Sequence, residues 1–142
     1  MPRDATELAH RLAREAERLR PKAITLVHNE TSTGTTYPAA EVGRIARSVN
    51  ALYLLDTVSS IAGIDVRTDE WGVDLNMTGS QKCLAAPLGM TLVSVSPAAW
   101  DAMERRKQRA SSRAVAGSST VSATFSAKAS FAAILASSWP RP

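Results

Sequence analysis

The chain has 142 residues, of which 44% are apolar and 21% charged. This is the length and composition of one compact globular domain, not of a disordered chain, and no apolar run approaches the length of a membrane-crossing helix. The net charge of +4 is uneven: residues 1–104 carry ten Lys/Arg against thirteen Asp/Glu, whereas residues 105–142 carry seven bases and no acid.

The basic character therefore belongs to the C-terminal stretch and does not mark the folded part as a nucleic-acid binder. That stretch also lacks the interleaved aromatics and dense basic run that such binding uses. The N-terminal residues are Arg-rich without an apolar core, so no secretory leader is expected. One cysteine, Cys83, excludes an internal disulfide framework and a cysteine zinc cluster. The expectation is a cytoplasmic protein with no membrane partner and no metal.

Residues 4–19 read as an amphipathic helix. Asp4 is a suitable N-cap with Glu7 three residues on, and Leu8, Leu12, Ala16 and Leu19 form an apolar stripe that ends before Pro21. Residues 23–27, AITLV, are a short apolar run with no alternation, as in a strand of a parallel sheet. Residues 28–38, HNETSTGTTYP, are dense in turn formers and hydroxyls and read as a loop. Pro38 then suits the first turn of a helix whose buried stripe is Val42, Ile45, Ala46 and Val49.

Residues 51–55, ALYLL, read as a second strand closed by Asp56. Residues 74–77 and 90–95 read as third and fourth strands, and 97–107 as a helix. The order helix, strand, helix, strand argues for an α/β fold with a mostly parallel sheet, flanking helices and right-handed crossovers. From Ala110 onward there are nine Ala and nine Ser in thirty-three residues, a low-complexity, weakly structured tail with some helical spacing around Phe131 to Leu135. The loss of acids after Glu104 is the composition expected of a truncated gene or a translated wrong frame. The chain thus divides into residues 1–107, a partial large domain, and 108–142, a basic tail that could be out of frame.

In open parallel sheets, ligands bind beyond the carboxyl ends of the strands. Three loops leave such ends, at 28–36, 56–63 and 78–87. Taken alone, Asp56 reads first as a turn former and Lys82 as a surface lysine. Glu30 reads as a hydrogen-bonding residue of its loop, Trp71 as core, and Cys83 as an inert small core residue. His28 is either a satisfied loop histidine or a site group. The hydroxyls at 31–36 could simply cap the next helix.

Together, Asp56 and Lys82 suggest more. A pyridinium cofactor needs an anion at its ring nitrogen and an amine at its aldehyde carbon. A carboxylate and an amine at the ends of neighbouring strands could serve one ring, and desolvation of Lys82 would make its amine a usable nucleophile.

The ordered segments HNETSTG (28–34), DTVSS (56–60) and GSQK (79–82) resemble the successive motifs of class V, fold type I, pyridoxal-phosphate aminotransferases, among them the alanine–glyoxylate and serine–glyoxylate enzymes. The resemblance covers residues 4–107. It implies pyridoxal 5′-phosphate as cofactor, a small amino acid and a 2-oxo acid such as glyoxylate as substrates, and a homodimer for the full-length family. Residue by residue, it implies that Lys82 joins the cofactor aldehyde and shuttles the proton. Asp56 pairs with the pyridine nitrogen, Val58 packs on the ring, Thr31 lies beside it, and Gln81 points to the phosphate. A histidine would stand in place of Gln81 in the cysteine desulfurases.

A pyridoxamine–pyruvate aminotransferase pattern is also compatible with KCLAAPLG (82–89). The family's Gly-rich phosphate turn, its ring-stacking aromatic and its substrate-carboxylate arginine have no match here. The expectation is a poorly active fragment with an uncovered apolar sheet face and strand edge. The competing reading is a non-catalytic remnant without a complete site.

Overall fold

A computed structural model describes residues 5–112 and 132–136. Helix α1 (Ala5–Leu19) leads into strand β1 (Ala23–Val27), a small hairpin of β2 (Asn29–Glu30) and β3 (Thr35–Thr36), helix α2 (Ala39–Ser48) and strand β4 (Leu52–Asp56). A single helical turn α3 (Thr68–Trp71), strands β5 (Leu75–Gly79) and β6 (Met90–Val95), helix α4 (Pro97–Ser112) and strand β7 (Ala132–Ala136) follow.

The main sheet has the order β1-β4-β5-β6-β7. β1, β4 and β5 are parallel, β6 is antiparallel to β5, and β7 is antiparallel to β6. Four of these five strands therefore point the same way, and the mostly parallel α/β reading holds. Two expectations are corrected. The loop at 28–38 contains the β2–β3 hairpin, paired Asn29↔Thr36 and Glu30↔Thr35; threonine, a good strand former, outweighs the turn signals there. The segment with helical spacing near residue 135 is a strand, paired Leu92↔Ile134 along β6; an unpaired sheet edge overrides a weak local preference. Asp4, the expected cap of α1, lies outside the described residues, as do most residues of the tail.

The core forms where α1 and α2 cover one face of the parallel strands. Ile24, Tyr53 and Leu55 meet Ala9, Ala16, Val42, Ile45, Ala46 and Val49. All four expected positions of α2 are buried. The stripe of α1 is rotated from the expected one: Ala9 and Ala16 are buried while Leu8 and Leu19 are exposed. Alanine permits the closest approach to α2, so Ala9, Leu12, Ala13 and Ala16 make the contact face. Tyr53 is fully buried, its hydroxyl donates to the Ala39 carbonyl at 3.0 Å, and burial pushes its phenol well above the usual range.

The opposite sheet face is less covered. Val27, Asp56 and Met77 share a register and hence that face, and Val27 and Met77 are 46% and 41% exposed. The expected uncovered apolar face is present among the described residues. β1 is the edge strand on that side of the sheet order.

Candidate active site

The pairings Val27↔Asp56 and Asp56↔Met77 bring the ends of β1, β4 and β5 to one rim. Asp56 is the last residue of β4 and is half-buried. One of its carboxylate oxygens accepts the Val58 N–H at 2.9 Å, so the residue is a turn former. Behind it, Thr57 is fully buried. Its hydroxyl lies 2.8 Å from Asn76 Oδ1 and 3.1 Å from the Met77 carbonyl, and its N–H donates to that carbonyl at 2.9 Å. These bonds fasten the end of β4 to β5 and fix the spacing of the two loops that follow. Asn76 escaped the sequence reading. A polar amide between Leu75 and Met77 was the signal that could have found it.

Lys82 follows β5 by three residues, in a loop closed by Ser80. The Ser80 hydroxyl donates to the Pro87 carbonyl at 2.5 Å, its N–H to Met90 at 3.1 Å, and its carbonyl accepts from Ala86 at 2.9 Å. Lys82 itself is exposed, so the described residues do not supply the expected desolvation. Gln81 folds back over Gly79: a Cβ at 79 would stand 2.6 Å from Gln81 Oε1. A groove of about 300 Å³, lined by Val58, Met77, Gly79, Gln81, Leu88 and Met90 among others, opens beside this loop. It brings together Val58 and Gln81. Asp56, Thr31 and Lys82 do not line it.

Thr31 is exposed, with its hydroxyl 2.5 Å from Ser59 Oγ. Glu30 is the expected loop hydrogen-bonder: its carboxylate accepts the Ser32 N–H and hydroxyl, both at 2.9 Å, which lowers its pKa. His28 is buried, with Nδ1 3.0 Å from Ser60 Oγ and its ring edge-on to Trp71 at 5.4 Å. Burial lowers its pKa. Trp71 packs against the core, as expected.

Two readings fail. Cys83 is exposed, not core, because the loop after β5 lies on the surface and not in the sheet. The hydroxyls at 31–36 do not cap α2, whose start at Pro38 has no side-chain cap; Thr33 bonds Thr35, and Thr36 donates to Asn29 Oδ1 at 3.0 Å, because the hairpin turns them away from the helix. No group of three or more His, Cys, Asp or Glu converges among the described residues, and no helix there is long and apolar enough to cross a membrane.

An open α/β sheet with ionisable and hydroxyl groups on the rim formed by its parallel strand ends is the architecture of a ligand-binding or catalytic domain. The family is defined by comparison. The family model for class-V aminotransferases matches residues 3–130, and the chain belongs to that family. It is 48% identical over 88 residues to a serine–glyoxylate aminotransferase of Arabidopsis thaliana, covering 61% of this chain and 22% of that protein.

Among solved structures, it superposes on the ureidoglycine–glyoxylate aminotransferase of Bacillus subtilis with TM-score 0.67 and 35% identity, over 70% of this chain and 26% of that one. For the alanine–glyoxylate aminotransferase of Nostoc sp., the TM-score is 0.66 and the identity 39%, over 69% and 26%. The resemblance read from the three motifs holds, and the chain spans less than a quarter of the curated relatives it matches.

Proposed function

We propose that residues 1–107 are part of the cofactor-binding large domain of a pyridoxal-phosphate-dependent aminotransferase. The reaction moves an amino group from a small amino acid such as alanine or serine to glyoxylate or a similar 2-oxo acid. The observation that carries this reading is the shared rim, where Asp56 ends β4 in register with β5 and Val58 and Gln81 line one groove. The donor set fits the group. The Gln81 carboxamide lines a groove at the small end of small-molecule sites, and the carboxylate of Asp56, the amine of Lys82 and the hydroxyl of Thr31 stand on the strand-end loops.

In this reading Asp56 holds a proton at the pyridine nitrogen, and Val58 packs on the ring. The Thr31 hydroxyl would lie beside the ring, and the Gln81 carboxamide would donate to the phosphate. Lys82 would hold the group through its amine and, once the substrate amine had displaced it, the freed Nζ would take and return the proton at the substrate Cα. The bound pyridinium supplies the electron sink that this proton transfer needs.

The three strand-end loops contain no arginine, so they offer the substrate carboxylate no bidentate clamp. Turnover by this chain is accordingly expected to be very low, and cofactor binding is the better readout. Titration of the full chain with pyridoxal phosphate should produce the visible absorbance band of lysine-bound cofactor, and Lys82→Ala should abolish it. Asp56→Asn should keep the band but weaken binding about tenfold or more, the effect of losing a charge-assisted hydrogen bond. An identical absorbance change in wild type and Lys82→Ala would refute the assignment.

A further inference from the structure

Every loop on the rim touches one dipeptide. The Ser60 hydroxyl lies 3.0 Å from His28 Nδ1 and 3.4 Å from the Thr57 carbonyl, and Ser60 and His28 are only 1% and 4% exposed. The Ser59 hydroxyl lies 2.5 Å from Thr31 Oγ1. The Ser59 carbonyl accepts from Asn29 Nδ2 at 3.5 Å and from the Cys83 thiol at 3.7 Å. Cys83 is the residue after Lys82, and a Cβ on Gly63 would stand 2.8 Å from its sulfur, so the loops after β4 and β5 are in close contact.

We propose that Ser59 and Ser60 are positioning residues for the cofactor site: they fasten the loops after β1, β4 and β5 to one another, so that Thr31, Asp56, Val58 and Lys82 are presented as one unit. The cofactor part of this inference rests on the function proposed above. The buried His28–Ser60 bond is the anchor, because a buried polar pair costs most to break. The longer bonds to Asn29 and Cys83 are weak singly and hold only while that anchor sets the loop. His28 thus acts through Ser60, and neither touches the reacting atoms.

The test is amide hydrogen exchange and cofactor titration on the full chain, in wild type, Ser60→Ala and His28→Asn. The asparagine amide can replace Nδ1 as the partner of Ser60. In Ser60→Ala, exchange should accelerate about tenfold, the equivalent of one lost hydrogen bond, at Tyr37, Ala85 and Ala86. These amides donate to His28, Lys82 and Ser80 in the two flanking loops. The amides of α2 should be unchanged, and His28→Asn should stay near wild type.

Acceleration confined to residues 57–64 would overturn the coupling. Cofactor affinity should fall about tenfold in Ser60→Ala with the absorbance maximum unmoved, again the loss of one hydrogen bond; unchanged affinity would overturn the positioning role. If wild type gives no visible band, the functional reading fails, and the exchange pattern still decides whether the loops are coupled. Should Ser60→Ala not fold, Ser59→Ala, which removes only the exposed bond to Thr31, is expected to give the smaller version of both effects.

Discussion

Gly43 shows how one atom decides a helix position. In the middle of α2, alanine would ordinarily stabilise the helix by roughly 1 kcal/mol over glycine. Here a Cβ would collide with the Trp71 carbonyl oxygen and approach Tyr53 to 3.3 Å. Overpacking against backbone costs roughly 1–3 kcal/mol, so the collision wins. Gly43→Ala should lower the denaturant midpoint of unfolding; an unchanged or raised midpoint would show that α3 yields without cost.

His28 makes a pH prediction. Burial lowers its pKa in the folded state, so below about pH 6.5, the ordinary histidine value, the unfolded chain binds a proton that the folded chain resists. Stability should therefore fall as the pH drops through that value. His28→Asn should flatten this part of the profile, and a profile with the same slope in both proteins would contradict the assignment. Glu30 acts in the same direction at lower pH, since Ser32 stabilises its ionised form.

At this scale the sequence told much about Glu30, whose partner is two residues away. It misled about Cys83, whose exposure depends on how a whole loop lies.

Between elements, the β4–β5 junction ties the two strand ends together. Thr57 bonds the Asn76 amide and the Met77 carbonyl at the level where Asp56 leaves the sheet. Thr57→Val keeps the shape and removes the hydroxyl, which leaves buried Asn76 Oδ1 without that donor. The expected loss is roughly 1–3 kcal/mol, read as a lower melting temperature; a loss below about 0.5 kcal/mol would show that the pair is dispensable.

The parallel strands were legible because AITLV and ALYLL are short apolar runs with no alternation, and their observed bounds differ from the expected ones by a residue at most. The direction of β6 was not legible. Nothing in MTLVSV distinguishes a strand running with its neighbour from one running against it, since strand direction is settled by the connection and not by side chains. The threonine-rich hairpin was missed for a related reason. Two-residue strands carry too few side chains to show a period.

For the molecule as a whole, helices α1 and α2 cover one sheet face, and the other presents Val27 and Met77 beside Asp56. An apolar sheet face open to water favours association or binding of apolar dyes. The chain should self-associate with rising concentration. The double substitution Val27→Lys/Met77→Lys should reduce both light scattering and dye fluorescence while leaving the far-UV circular dichroism intact. Unchanged scattering would mean that association, if any, uses another surface.

The family and the rim were readable from three ordered motifs because the fold places strand-end loops together whatever lies between them. The contacts that tie those loops, among them Ser59 with Thr31 and Cys83, were not readable. They join residues 24 to 28 positions apart and leave no local pattern.

The central claim is that the amine at 82 and the carboxylate at 56 serve one pyridine ring. Borohydride reduction of the full chain after incubation with pyridoxal phosphate, followed by peptide mass mapping, tests it most directly. The account predicts one modified peptide containing Lys82, with its labelling sharply reduced in Asp56→Asn. Labelling spread over Lys22, Lys107 and Lys128, or indifferent to the residue at 56, would contradict it.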